Sequence, residues 1–351
     1  MTAETSKKFS FNTKILIALG ILFVIMLGGT VFNYYLKYFG PNVTDNTEYL
    51  YIKTGSGFDE VYDTLKKDGI VKDSISFLNA AKNMDYPLSV KPGKYRLIKG
   101  MSNRSFINML KSGNQEPVKI SFQNVRLKQN LAGMVAKKLE TDSASIGSLL
   151  DSAAFVEKFG FTTDNVYTMF IPNSYEVYWN TSAEKFFTRM YDEYKKFWTP
   201  ERKSKAEKIG LTPAEVSTLA SIVDGEALMD KEMPVIAGLY MNRLKKGMRL
   251  EADPTVIFAA NDFSIRRVLN KHLRINSPYN TYMNTGLPPG PIGMPSINAI
   301  DAVLNYSSHN YIYMCAKEDF SGYHNFAITL AEHSRNARKF QQALNERNIK
   351  K

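Results

Sequence analysis

Thr212-Pro213-Ala214-Glu215-Val216-Ser217-Thr218-Leu219-Ala220-Ser221-Ile222-Val223-Asp224-Gly225-Glu226-Ala227 opens with the form of a capping box, with proline at the first helical position. The spacing predicts a helix from about Pro213 through Ala227. At about 100° per residue, Val216, Leu219, Ala220, Ile222, Val223 and Ala227 share one broad apolar stripe, and Glu226 falls inside it. A carboxylate held there loses part of its hydration, which disfavours the charged form and raises its pKa. Such a group stays protonated near neutral pH and has a proton to deliver. The plainer reading is a glutamate at a fraying helix end beside Gly225, pointing to water.

Further elements flank this helix. Phe186, Phe187, Met190, Tyr194 and Phe197 keep helical spacing before it. A helix from about Pro234 to Lys246 follows and stops at Gly247, with lysines in its last turn as the helix dipole favours. Leu131, Val135 and Leu139 form another stripe, and Phe170 to Trp179 is an aromatic, strand-like run broken by a turn. In that run the alternation of Tyr175, Val177 and Trp179 puts Glu176 on a wet face. Asp253 before Pro254 favours an extended or turn conformation, after which Thr255 to Phe258 starts a strand or a helix. Cys315, the single cysteine, sits among Tyr311, Ile312, Tyr313 and Met314, a buried strand by composition in which the thiol is core filler. Upstream, Tyr49 to Lys53 reads as a strand. Phe58, Val61, Tyr62 and Leu65 read as a helix, Phe77, Leu78 and Ala81 as a second, and Lys94 to Leu97 as a strand after Pro92-Gly93. Ser102 caps a third helix closed by Gly113-Asn114, and Val118 to Phe122 is another strand. The fold class is α+β, with a small module over residues 44–122 and a larger α+β domain over 123–351 that begins near Asn124.

The 351 residues suffice for two cores, and 44% hydrophobic with 23% charged residues is ordinary for a globular chain. Ile15 to Leu36 is different: it carries no charge, and at 1.5 Å per residue it spans roughly 33 Å, the thickness of a bilayer core. Lys7, Lys8 and Lys14 precede it and Tyr34, Tyr35 and Tyr38 close it as an interfacial belt. Residues 1–14 are therefore expected in the cytoplasm, 15–36 as a transmembrane helix, and the rest outside the cytoplasm. A cleaved signal peptide is the competing reading, for which Gly28-Gly29-Thr30 makes a poor cleavage site. The net charge of +11 suits an anionic partner, either lipid headgroups or the carboxylates of a cell-wall polymer. The basic residues are dispersed and no zinc-finger or RNP-type motif occurs, so nucleic acid is not expected. His272, His309, His324 and His333 show no metal-ligand spacing, and neither metal nor cofactor is implied.

Leu219 to Ala227, Met241-Asn242-Arg243-Leu244, Gly247-Met248-Arg249-Leu250 and Ala252-Asp253-Pro254-Thr255-Val256 follow one another in order. Tyr279-Asn280-Thr281-Tyr282, Gly286-Leu287-Pro288-Pro289-Gly290-Pro291-Ile292 and Gly322-Tyr323-His324-Asn325-Phe326 complete the series. Together these motifs resemble the YceG-like endolytic murein transglycosylases over nearly the whole chain past the apolar segment. The resemblance implies that the small module is a LysM-like peptidoglycan-binding domain, with Pro92-Gly93-Lys94-Tyr95 at the matching turn. It also implies that the catalytic acid is Glu226, which closes an acidic-x-Glu motif, and that peptidoglycan synthases are partners. Asp224 stands where the family usually has Glu, and Asn173-Ser174-Tyr175 where it commonly has Asp-Thr-Tyr. Candidate substrate-binding residues are Asp224, Asn242, Arg243, Asp253, Tyr279, Asn280, Tyr282 and His324. Arg243 could equally pair with Asp224 or Glu226, and the Gly286 to Pro291 run is expected to wall a substrate groove.

A glycosidase ordinarily needs two carboxylates, one as acid and one as nucleophile or base. A lytic enzyme acting on N-acetylmuramic acid manages with one, because the acetamido oxygen assists at the anomeric carbon and the sugar's own 6-hydroxyl closes on it. Glu226 would give its proton to the leaving oxygen and take one from that hydroxyl, leaving a 1,6-anhydro end. The expected function is therefore a membrane-anchored endolytic lytic transglycosylase that limits nascent strand length. Its alternatives are a non-catalytic wall-binding adaptor for synthases, or a hydrolytic muramidase using Glu226 with Glu176 or Asp253.

Overall fold

The computed structural model describes residues 11–123, 125–265 and 267–347, so Lys7, Lys8 and the expected boundary at Asn124 lie outside the described residues. The chain forms two compact units. One runs to Val118 and adds Tyr178–Asn180; the other holds Lys119–Val177 and everything from Thr181 onward.

The first unit starts with α1 (Phe11–Phe39), whose apolar side chains are exposed along its length and which is long and apolar enough to cross a membrane. β1 (Tyr49–Ile52), α2 (Phe58–Lys67), α3 (Ser74–Asn83) and β2 (Gly93–Arg96) follow, then α4 (Asn103–Ser112). β1 and β2 pair antiparallel, Tyr49 opposite Arg96 and Ile52 opposite Gly93. Leu50, Ile52, Leu65, Phe77, Tyr95 and Phe106 fill the core beneath them. Ser102 caps α4 by accepting from the Ser105 N–H, and Gly113 ends it in the left-handed conformation, as the sequence predicts. The tyrosines at the end of α1 need a correction. Tyr34 and Tyr35 are exposed, but Tyr38 is buried in the module's core and accepts a 2.6 Å hydrogen bond from Asn83 Nδ2. Asn103 Nδ2 also donates to the carbonyl of Lys37, at 2.9 Å. Tyr38 is thus a joint between helix and module, which leaves Tyr34 and Tyr35 as the exposed rings.

The second unit pairs β3 (Val118–Ser121) with β4 (Ser174–Val177), and α5 (Lys128–Ala136), α6 (Ser143–Leu150) and α7 (Ala153–Val156) lie between them in sequence. Tyr175 and Val177 point inward and Glu176 outward, so Glu176 is on the wet face. α8 (Ala183–Phe197) brings Phe186 and Phe187 against Phe170. α9 (Pro200–Lys208) leads to α10 (Pro213–Glu226), whose capping box is formed in both directions. α11 (Met233–Lys245), α12 (Asp253–Ala260) and α13 (Ile297–Leu304) pack on α10. β5 (Tyr313–Ala316) and β6 (His324–Ala327) make an antiparallel hairpin, and α14 (Leu330–Glu346) packs on it.

α10 is more deeply placed than a striped surface helix. All eight residues from Val216 to Val223 are buried, the polar ones included. Ser217, Thr218 and Ser221 are accommodated because each hydroxyl bonds back to a carbonyl one turn earlier, at 3.1, 2.9 and 2.7 Å. Two other expectations change. Cys315 lies on a strand, but all four residues of β5 are half-exposed because the hairpin is covered on one side only. None of the residues from Gly286 to Pro291 lines the cavity that holds Glu226. Pro288, Gly290 and Pro291 are buried, and a Cβ on Gly290 would stand 2.0 Å from the carbonyl oxygen of Asp164. The residues just after it, Ile292, Gly293 and Met294, line a neighbouring cavity. Gly290→Ala should therefore force backbone apart and cost about 1–3 kcal/mol of unfolding free energy by overpacking, read from denaturant melts of the two proteins.

Candidate active site

Glu226 is the last residue of α10, and at Ala227 the backbone turns extended. Gly225, one residue earlier, allows a close approach. A Cβ there would meet Pro254 Cβ at 2.9 Å, so the first turn of α12 lies directly against the last turn of α10. That contact brings Asp253, the first residue of α12, beside Glu226, where the Asp253 backbone N–H bonds to the carboxylate. Tyr240, nearly fully buried on α11, donates its hydroxyl to Glu226 Oε1 at 3.1 Å.

These neighbours act on the carboxyl in opposite senses. Loss of hydration raises its pKa most, the negative charge of Asp253 raises it further, and the bonds from Tyr240 and the Asp253 N–H pull it back, leaving it at about 7. Tyr240 is held well above its ordinary value by burial and then by the Glu226 charge, so it remains a donor. Asp253 in turn accepts a 2.7 Å hydrogen bond from Tyr282, whose phenol is also raised by burial first and by Asp253 second. The result is a carboxyl at Glu226 poised to be protonated near neutrality, with Asp253 beside it.

Glu226, Tyr240, Asp253, Tyr282, Arg243 and His324 line a cavity of about 410 Å³, and Tyr313 to Ala316 of β5 form its far wall. Five of the nine residues expected from sequence are therefore brought together. Arg243 contributes packing and charge from a fixed position. Its guanidinium bonds the carbonyls of Ile312, Arg249 and Leu250 and pairs with Glu251 at 2.8 Å, so its partner is neither Asp224 nor Glu226. His324 bonds Glu232 through both its backbone N–H and Nδ1, each at 2.9 Å, which fixes the ring and leaves Nε2 as the remaining polar atom.

Four expected residues lie elsewhere. Asp224 accepts from Ser296 Oγ at 2.7 Å and from its N–H at 3.3 Å, where Ser296 caps α13. Asn242 gives its amide hydrogens to the carbonyls of His309 and Tyr311, and the fully buried Asn280 gives its own to those of Leu273 and Ile275. Neither amide has a donor left for a sugar. Tyr279 packs on Phe258 with ring centres 4.8 Å apart. Tyr240, Glu232 and Cys315 were missed as site residues. Tyr240 is 14 residues from Glu226 on another helix, and no spacing links the two. Burial, then Glu318, pushes the Cys315 thiol up.

The YceG-like family's sequence pattern matches residues 50–339. The chain belongs to the YceG-like family. It is 30% identical over 312 residues to the endolytic murein transglycosylase of Bacillus subtilis (strain 168), covering 84% of this chain and 85% of that one. With the protein of the same name from Streptococcus pneumoniae serotype 2 it shares 28% over 316 residues, 81% of this chain and 57% of the relative. The crystal structure of a YceG-like protein from Listeria monocytogenes superposes with a TM-score of 0.53 at 24% identity, over 82% of this chain and 98% of that one, which establishes the shared fold.

Two predictions concern the YceG-like carboxyl itself. Asp253→Asn removes a charge that raises the Glu226 pKa, so the midpoint read by carboxyl 13C NMR should fall below 7, while Tyr240→Phe removes a bond that lowers it and should move the midpoint up. A folded-state pKa near 7, against an ordinary 4.5, means that the folded protein binds this proton more tightly than the unfolded chain. The resulting penalty is absent below pH 4.5, develops between 4.5 and 7, and is complete above. Glu226→Gln should therefore raise stability at pH 8 by about 1–3 kcal/mol, reduced because the carboxyl still meets water, with no gain at pH 4, as followed by thermal melts.

Proposed function

We propose that the protein is a membrane-anchored lytic transglycosylase that cuts peptidoglycan glycan strands internally, between N-acetylmuramic acid and N-acetylglucosamine, leaving 1,6-anhydromuramic ends. The observation that carries this reading is Glu226, a carboxyl with a pKa of about 7, held by Tyr240 in a cleft of a YceG-like chain. Relatives bearing the name endolytic murein transglycosylase support the substrate class.

Protonated Glu226 gives its proton to the departing glycosidic oxygen while the acetamido oxygen of the muramyl sugar assists at C1. The resulting carboxylate takes the proton of the 6-hydroxyl as that oxygen closes on C1, so acid and base are the same group and no water is consumed. A pKa near neutrality suits both steps, since either protonation state is accessible. Tyr240 keeps the carboxyl in one orientation, and the charge of Asp253 favours positive charge developing at the anomeric carbon.

α1 serves as the anchor, with the amino terminus in the cytoplasm and the small module and the second unit outside it. The β1-α2-α3-β2 order of the small module, two helices between two paired strands, supports a LysM-like wall-binding role. Near the membrane such an enzyme would shorten strands as synthases extend them. A hydrolytic muramidase is the second reading, favoured by one observation: Asp253 lies close enough to Glu226 to raise its pKa and is a candidate second carboxylate. Digestion of purified sacculi separates the two. Wild-type protein should release products one water lighter than hydrolytic ones, and Glu226→Gln should release none while melting as a folded protein. Reducing ends from the wild type would establish hydrolysis, and full activity in Glu226→Gln would remove Glu226 from the mechanism.

A further inference from the structure

A second cavity, of about 540 Å³, lies in the same unit on the other side of the α10–α12 contact. Gly225 and Ala227 line it, while Glu226 between them lines the first; Pro254 lines it, while Asp253 lines the first. One thin ridge, the last turn of α10 against the first turn of α12, is thus the shared wall. Residues of this contact therefore line both cavities, with Glu226 facing the first.

The charges of this second cavity are unequal in availability. Asp224 is taken up by Ser296, and Asp230 accepts from Asn298 at 2.8 Å. Arg126 is exposed, its guanidinium lies over the ring of Phe263 at 5.4 Å, and it forms no ion pair among the described residues. A guanidinium stacked on an aromatic ring keeps its edge donors free for a carboxylate. The half-exposed face of Phe263 suits the apolar face of a pyranose ring. Resting on the transglycosylase reading, we propose that this cavity is a second saccharide subsite. It would hold the strand beyond the scissile bond, with Phe263 against a sugar ring and Arg126 on a carboxylate of the lactyl-linked peptide. An enzyme that cuts inside a chain must hold sugar on both sides of the bond, and the ridge supplies that arrangement.

The test uses Glu226→Gln full-length protein in detergent, which binds without turnover, and calorimetric titration with defined glycan oligomers. Arg126→Ala and Phe263→Ala in that background should each weaken binding of a peptide-bearing octasaccharide at least tenfold and leave a disaccharide–peptide unchanged. On strands stripped of peptide, the Arg126→Ala effect should vanish and the Phe263→Ala effect persist. Arg126→Lys, which keeps the charge but loses the forked donors, should recover only part of the affinity. Octasaccharide affinity unchanged by both alanine variants would overturn the subsite, and an Arg126 effect that survives peptide removal would overturn the carboxylate assignment. These outcomes are read from binding alone. They are therefore distinct from failure of the enzymatic reading, which would show as an absence of anhydro products from the wild type.

Discussion

Two helix ends meet at Gly225 with no room for a side chain, and the chemistry of the second unit follows from that meeting. Because Pro254 sits within van der Waals distance of where a Cβ would be, Asp253 is delivered to Glu226 at the start of α12. Its backbone N–H then points at the carboxylate while its own charge opposes ionisation. A larger residue at 225 would have to part the helices and so carry Asp253 away from Glu226. The burial of α10 over eight consecutive residues makes the arrangement stiff, since a helix packed on α9, α11, α12 and α13 cannot roll to accommodate a bulkier ridge.

The same arrangement sets a conflict between stability and activity. A carboxyl with a pKa near 7 is destabilising in its charged form, and a less buried glutamate would make a more stable protein. Tyr240 limits the penalty by donating to Oε1, and Tyr282 donates to Asp253 beside it. Two phenols with raised pKa values are well chosen for this. They remain donors over the range in which Glu226 titrates, and each presents an apolar ring to the surroundings that desolvate the site.

In the first unit the apolar helix is integrated with the fold. Tyr38 fills part of the module's core and Asn83 and Asn103 bond its hydroxyl and the Lys37 carbonyl. The end of α1 thus has a defined place against α3 and α4, instead of trailing into a flexible tether. If α1 lies in a bilayer, the module is held at a set distance from the surface.

Much of this was legible in residue order. Capping boxes, glycine C-caps and apolar periods are local signals, so the limits of α4, α10 and α11 fell within a residue or two of the structure, and an uncharged run of bilayer length needs no partner to be seen. The prominence of Glu226 was also local, since a carboxylate among apolar neighbours is anomalous wherever the helix packs. Its partners were another matter. Tyr240 stands on a different helix, Asp253 arrives by a glycine-permitted contact, and Asn242 and Asn280, which read as sugar ligands, spend their amide hydrogens on backbone carbonyls brought near only by folding. The amino-acid sequence by itself determined which helices form, where they stop and which side chain is chemically out of place. Tertiary structure alone decided what surrounds that side chain, because hydration, charge and hydrogen bonding at a point depend on segments far apart in the chain.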